Sequence, residues 1–271
     1  MNRVLRKGMH AALATLVGFA TAQGVHAAEY KLLVEPSYNV QRATEVYQPL
    51  ADYLSKATGH KITLVTSRNY HFFWRDVRQN APIDFMFAEA HFTDFRAKRF
   101  QFEPIARTVE NTSYTLLGSD QLTNTTLNGL IGKGIVTMPS PSMGFAMLLQ
   151  FFPDPVRQPN MMSTAQSWQD GVEIVFAGEA DAAIVPTWLQ SQYPNLIPIA
   201  TSAEFPGAAV SASPTVPPEA KQAVKDALLK LHEAEGAYEV LSELGVSQFV
   251  EASAADYDGD EKVLEGFFGY K

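Results

Sequence analysis

The chain has 271 residues, 46% of them hydrophobic, with 21 Lys plus Arg against 29 Asp plus Glu and no cysteine. The lack of cysteine excludes a disulfide framework, a cysteine metal site and a thiol for lipid attachment. The excess of acidic side chains argues against nucleic acid and anionic lipid surfaces as partners, because both select positive patches.

The first 28 residues have the features of a secretory signal peptide. Arg3, Arg6 and Lys7 precede an apolar segment at 11–22, and small residues follow it. The apolar segment is too short to span a membrane, so we expect cleavage after Ala27 or Ala28. The mature protein is predicted to lie free in a bacterial periplasm, as a monomer.

The first part of the mature chain alternates strands and helices. The predicted elements are a strand at 30–36, a helix at 43–57, a strand at 61–67, a helix at 69–80, a strand at 83–88 and a helix near 92–99. This order predicts a parallel sheet with right-handed crossovers, whose ligand binds beyond the carboxyl ends of the strands. Those ends fall at 36–39, 67–70 and 88–92.

A second α/β unit follows. It comprises a strand at 113–119, a short turn and strand at 127–138, and a strand that ends at Val185, with helices at 144–152 and 168–178. Extended segments follow at 195–201 and 208–213, and closing helices at 218–232 and 237–244. We therefore predict an α/β protein of two lobes with parallel-rich sheets and a cleft between them. The predicted boundaries are 29–112 for the first part of lobe 1, 113–206 for lobe 2, and 207–271 for the return to lobe 1.

The stretch TMPSPSMGFAM, residues 137–147, leads into one of these helices. Ser140 and Ser142 are residue types that cap helix N-termini, where unpaired backbone N–H groups also attract anions. Two interpretations stay open at this point, a simple helix cap and an anion-binding loop.

Motifs of catalysis and metal binding are scarce. The sequence has no G-x-S-x-G elbow, no H-E-x-x-H and no phosphate-binding G-x-x-x-x-G-K-[ST]. DYDGDE at 256–261 lacks the glycine and the closing glutamate of a calcium loop, which favours a solvated acidic turn. We predict no enzymatic activity, no metal and no cofactor.

Aromatic side chains cluster where the cleft is predicted. Tyr38, Tyr70 and His91 each follow a predicted strand at its carboxyl end, which gives them a positional reason to face a ligand. Phe72, Phe73, Phe85 and Phe87 are instead expected in the core.

The chain resembles the periplasmic solute-binding proteins of the phosphate, phosphite and phosphonate type that serve ABC importers. The resemblance runs in order through YKLLVEP, PLADYLSKATG, IDFMFAEAHF, FEPIARTVENTSYTLLGSD, TTLNGLIGKGIVTMPSPSMG, FAGEADAAIVP and VPPEAKQAVKDALLKLHE. It implies two α/β lobes joined by two crossing strands that close around a ligand by hinge motion.

The resemblance also implies site positions, several of them altered. The Ser-Thr-Ser-Gly loop typical of the family falls on Pro141, Ser142, Met143 and Gly144, so two hydroxyls are missing. A Gly-Pro pair before an aromatic residue matches Ala88-Glu89, a second-lobe histidine falls on Trp168, and an acidic residue falls on Pro186. The candidate ligand-binding residues are Tyr38, Tyr70, Glu89, His91, Ser140, Ser142, Met143, Gly144 and Trp168.

The function implied is capture of a phosphonate- or phosphite-like small molecule in the cleft and its delivery to an inner-membrane permease. The altered loop favours an alternative, a carrier of an apolar or lipid-like molecule. A second alternative is a sensing module whose closed form is read by a membrane receptor. An unrecognised periplasmic enzyme is a further class, for which the sequence gives no positive sign.

Overall fold

The computed structural model describes residues 27–270. The predicted signal peptide falls almost entirely on residues 1–26, outside the described range. Within that range, none of the helices combines the length and the apolar character needed to cross a membrane.

Eleven strands and seven helices make up the described part of the chain. The strands are β1 (Glu29–Val34), β2 (Lys61–Val65), β3 (Phe85–Ala88), β4 (Glu103–Thr108), β5 (Tyr114–Gly118), β6 (Gly134–Val136), β7 (Asn160–Met162), β8 (Ala182–Pro186), β9 (Ile197–Thr201), β10 (Ala209–Ala212) and β11 (Phe249–Glu251). The helices are α1 (Val40–Thr58), α2 (Tyr70–Arg78), α3 (Ala90–Phe100), α4 (Met143–Phe151), α5 (Trp168–Phe176), α6 (Pro218–Lys230) and α7 (Ala237–Leu244).

The strands form two mixed sheets, one in each lobe. The first sheet has the order β11-β4-β10-β3-β1-β2 and the second β7-β6-β8-β5-β9. In each sheet one half is parallel, with β1 between β2 and β3, and β6 between β7 and β8. The other half is antiparallel because strands that cross between the lobes enter it, with β10 inserted between β3 and β4.

Local sequence accounts for the helices that flank the first sheet. In α1, Val46, Leu50 and Leu54 recur at helical spacing and are buried against the sheet. The side chain of Asn39 caps its start by accepting the N–H of Arg42, and Gly59 ends it with φ 72°. Residues 35–39 connect the carboxyl end of β1 to the start of this helix.

Two extended segments, 109–113 and 202–208, join the lobes side by side. The N–H of Thr112 donates to the carbonyl of Phe205 at 2.9 Å, and the N–H of Phe205 to that of Thr112 at 2.8 Å. At Gly207 an added Cβ would overlap the backbone carbonyls of Thr108 and Glu110. Glycine is thus what lets the two crossing segments approach each other.

Candidate functional site

Two glutamates lie side by side where the parallel strands of the first lobe end. Glu35 follows β1 and Glu89 follows β3. The hydroxyl of Tyr70 donates to Glu35 Oε1 at 2.8 Å, and the backbone N–H of Glu89 donates to Glu35 Oε2 at 2.8 Å. From the second lobe, the hydroxyl of Tyr114 donates to Glu89 Oε1. The pair of carboxyl groups therefore lies at the junction of the lobes.

The two carboxyl groups are poorly solvated. Glu35 is 3% exposed, and Glu89 Oε2 is buried without a hydrogen-bond partner. Burial raises the pKa of Glu35 to about 7, although the hydrogen bonds from Glu89 N–H and Tyr70 oppose it. Burial, followed by repulsion from Glu35, raises the pKa of Glu89 well above its usual range. In the described part of the chain, no lysine, arginine or histidine lines the cavity beside them.

His91, in the first turn of α3, completes this cluster. Its ring is fully buried, and its Nε2 lies 3.2 Å from the carbonyl oxygen of Pro141 in the second lobe. Burial lowers the pKa of His91 to about 3, so the ring is neutral at neutral pH. A neutral ring beside a carbonyl donates from that nitrogen, which assigns the lone pair to Nδ1. His91 Nδ1 is buried and has no hydrogen-bond partner.

Ser142 is the N-cap of α4, in agreement with the cap interpretation of the TMPSPSMGFAM stretch. Its hydroxyl accepts the N–H of Phe145 at 3.3 Å and donates to the carbonyl of Met138 at 3.2 Å. Met143 and Gly144 are also buried, and the ring of Trp168 packs on Gly144, where an added Cβ would lie 2.8 Å from it. The helix N-terminus is therefore shielded by an aromatic ring in this arrangement of the lobes.

Three cavities surround Tyr38 in the cleft between the lobes, and Tyr38 lines all of them. The smallest, about 170 Å³, is called here the glutamate cavity. Its lining includes Glu35, Tyr38, Tyr47, Glu89, Trp168 and Trp188. The others measure about 390 and 630 Å³, and Tyr70 lines the first and Trp188 the second.

The nine residues expected at the site separate into two groups. Tyr38, Glu89 and Trp168 come together on the wall of the glutamate cavity, and Tyr70 borders the cavity beside it. The remaining five residues line none of these three cavities. They are His91, Ser140, Ser142, Met143 and Gly144. Of these, His91 contacts the carbonyl of Pro141, and Ser142 caps α4.

Comparison with known families decides what kind of protein this is. Residues 32–257 match the family of ABC-transporter phosphonate periplasmic substrate-binding proteins. The chain belongs to this family. Its members are substrate-binding components of transporters, which confirms the expected function in transport and the expectation that the chain is not an enzyme. The match does not favour the lipid-carrier and receptor alternatives.

Solved structures of this family and beyond share the fold. PhnD1 from Prochlorococcus marinus (MIT 9301), in complex with methylphosphonate, is 14% identical, with 87% of this chain and 97% of that chain covered and a TM-score of 0.76. The binding component of an ABC phosphonate transporter (PA3383) from Pseudomonas aeruginosa is 15% identical over 88% and 85%, with a TM-score of 0.73. XAC2383 from Xanthomonas citri, bound to ATP, is 12% identical over 87% and 95%, with a TM-score of 0.67.

These likenesses confirm the two-lobed fold. No curated protein matches the sequence.

The sequence analysis missed two residues, Glu35 and Tyr114, that bond Glu89 in the cleft of this protein. Glu35 is a carboxylate inside the apolar run YKLLVEP, and a charge at the end of an otherwise buried strand was an available signal. Tyr114 gave no such signal. Its hydroxyl reaches Glu89 only because the lobes pack together, which local sequence patterns do not encode.

Proposed function

We propose that this phosphonate-family protein captures a small phosphonate or phosphite in the glutamate cavity and delivers it to an inner-membrane permease. The observation that carries the proposal is a cavity at the carboxyl ends of β1 and β3, closed by contacts between the lobes. Tyr114 of the second lobe bonds Glu89 of the first, and Pro141 of the second bonds His91 of the first. Closure around a ligand by hinge motion is how two-lobed binding proteins hold their substrates.

In this proposal some cleft residues contact the ligand, and others hold those residues in position. Tyr38, Glu89 and Trp168 line the cavity and would touch the ligand directly. Tyr70 holds Glu35 in place, and Ser142 fixes the first turn of α4 behind Trp168. Hinge motion is proposed at the two crossing segments, which gives lobes of 29–112 with 207–271, and 113–206. We further propose that residues 1–28 are removed on export and that the mature protein is a monomer free in the periplasm.

Titration calorimetry of the purified protein with methylphosphonate, phosphite and phosphate tests the proposal. We expect saturable binding of one equivalent of a phosphonate or phosphite. Trp168 and Trp188 line the cavity, so binding should also change the tryptophan fluorescence. Trp168→Phe should reduce that change. Trp74→Phe is the matched control, because Trp74 bonds the carbonyl of Phe268 in the first lobe and does not line the cavity.

The proposal fails if none of these oxyanions binds while native mass spectrometry of protein taken from its own periplasm reveals a bound molecule without phosphorus.

A further inference from the structure

Glu35, Glu89 and His91 place three potential metal ligands in one small volume. One ligand atom from each side chain lies within 4.8 Å of the others, and within the described range no other trio of acidic, histidine or cysteine side chains does this. The three residues extend from the end of β1, the end of β3 and the first turn of α3. Their positions are therefore fixed by the sheet and not by a mobile loop.

A second observation points to a ligand at this cluster. His91 is fully buried, and its Nδ1 has no hydrogen-bond partner, although its Nε2 contacts the carbonyl of Pro141 at 3.2 Å. An imidazole with one nitrogen held by a backbone carbonyl and the other left as a free lone pair is the arrangement in which proteins present histidine to a metal. Glu89 Oε2 is likewise buried without a partner.

The charges of Glu35 and Glu89 also favour a bound cation. These two desolvated carboxyl groups lie together, and no basic side chain in the described part of the chain lines their cavity. A bound cation is the largest local charge that a protein can use to balance such a pair. A site of one imidazole and two carboxylates suits Zn²⁺ or Mn²⁺, whereas Ca²⁺ and Mg²⁺ prefer oxygen ligands alone.

We infer that Glu35, Glu89 and His91 bind a divalent transition-metal ion of the Zn²⁺ or Mn²⁺ kind at the floor of the cleft. Tetrahedral binding brings ligand atoms to roughly 3.4 Å from one another. Side-chain movements of about 1 Å suffice to reach that spacing from the 4.8 Å limit observed. Three protein ligands leave one position open toward the cavity.

The open position connects the metal to the ligand, a step that rests on the proposed function. A phosphonate oxygen bound to the metal would place the cation between the dianion and the two carboxylates, where its charge offsets their repulsion. It would also replace the donors lost where Pro141 and Met143 stand in the family's hydroxyl-rich loop. The metal thus makes an acidic cavity compatible with an anionic substrate.

The metal is tested first, without any organic ligand. The full mature protein is loaded with Zn²⁺ or Mn²⁺ and dialysed, and its metal content is measured by mass spectrometry. We expect one equivalent and a higher melting temperature than in EDTA. Glu89→Gln and His91→Asn should each weaken metal affinity by about 100-fold or more. Asp260→Asn is the matched control, because Asp260 also has a buried oxygen without a partner but lies outside the cluster.

Two outcomes overturn the inference. If the wild-type protein retains no metal, the inference is wrong, and this result does not depend on whether any variant folds. Equal metal retention by Glu89→Gln, His91→Asn and wild type removes these residues from the site.

A second titration, with methylphosphonate in metal-loaded and EDTA-treated protein, tests the connection to the ligand. Affinity should fall by about 100-fold or more in EDTA if metal and oxygen are directly bonded. Affinity that is unchanged in EDTA overturns the metal's role but upholds the proposed function. A metal equivalent held by Glu89 and His91, with no phosphonate binding in either state, upholds the metal site but overturns the proposed function.

Discussion

Gly144 has no side chain because the ring of Trp168 occupies the space where one would begin. An added Cβ would lie 2.8 and 2.9 Å from two atoms of that ring, closer than such contacts occur. The ring of Trp168 in turn packs edge-on against Tyr114, with 5.3 Å between ring centroids. The lack of a side chain at Gly144 therefore allows the Trp168 ring to take its position in the wall of the glutamate cavity.

Gly144→Ala should accordingly lower the free energy of unfolding by about 1–3 kcal/mol, because either Trp168 or α4 must shift. The displaced ring should also weaken ligand binding and change the tryptophan spectrum. Chemical unfolding and near-UV circular dichroism measure both effects.

Gly171→Ala is the control, since its Cβ would meet its nearest atom at 3.7 Å, an ordinary contact, within α5. That variant should match the wild type or gain up to about 1 kcal/mol. If Gly144→Ala keeps the stability and the near-UV spectrum of the wild type, the position of the Trp168 ring does not depend on Gly144.

Site residues could be predicted from the sequence when the residues next to them in the chain marked their position. His91 could be singled out because it follows β3, Ser142 because it precedes a helix, and Glu89 because it falls on a position given by the family resemblance. Whether each side chain lines the cavity depends on the packing of the second lobe against the first. For that reason His91 and Ser142 line none of the three cavities, and Tyr114 was not anticipated at all.

The acidic stretch DYDGDE is an element tied to α3, and it is less solvated than the sequence suggested. Asp94 of α3 is buried, and its Oδ2 accepts the N–H groups of Gly259 at 3.0 Å and Glu261 at 2.9 Å. Lys98, one turn along, pairs with Asp94 at 2.9 Å and with Asp258 at 3.0 Å. The stretch is thus an anchor for the C-terminal segment.

This anchor should make stability depend on pH through Asp260. Burial, then the charge of Asp94, raises the pKa of Asp260 to about 6 from 3.8, although Lys98 opposes the shift. The folded state holds this proton more tightly, so the stabilisation is complete below 3.8 and is lost as pH rises through 6.

Asp260→Asn mimics the protonated form. It should match wild type at low pH and be more stable above pH 6. We expect a difference on the order of 1 kcal/mol, after allowance for partial screening by solvent. Melting curves from acid to neutral pH measure it, and a difference that stays constant with pH would count against the assignment.

Regular elements were mostly predictable from periodicity, and short ones were not. The helices α1, α6 and α7 follow their apolar spacing closely. The strands β7 and β11 have three residues each, and β4 carries Pro104 and Arg107, so their patterns were too short or too mixed to read. They pair because neighbouring strands hold them in the sheet.

At the scale of the whole molecule, polar contacts and aromatic packing both join the two lobes across the cleft. Tyr114 bonds Glu89 across the cleft, and Phe145 of α4 packs against Phe267 of the C-terminal segment at 5.8 Å between centroids. The bridge between Thr112 and Phe205 joins the two crossing segments, where hinge motion is proposed. The Tyr114 hydroxyl and the His91 ring each make a polar contact across the cleft, and Tyr114→Phe removes the first of these while keeping the aromatic ring.

Tyr114→Phe should shift the protein toward an open form. In the closed form the variant leaves Glu89 Oε1 buried without its donor, at a cost of about 1–3 kcal/mol, whereas water can hydrate Glu89 once the cleft opens. Small-angle X-ray scattering of the ligand-free variant should show a larger radius of gyration than wild type. Ligand affinity should fall by roughly 5- to 150-fold, because binding must now overcome that cost.

Tyr53→Phe separates this effect from general destabilisation. The hydroxyl of Tyr53 donates to the carbonyl of Ala227 at 2.9 Å, wholly within the first lobe. Its loss should lower the melting temperature without changing the radius of gyration, because open and closed forms lose the same bond. If Tyr114→Phe instead behaves like Tyr53→Phe in scattering and in ligand affinity, the hydroxyl of Tyr114 stabilises its lobe and not the closed cleft.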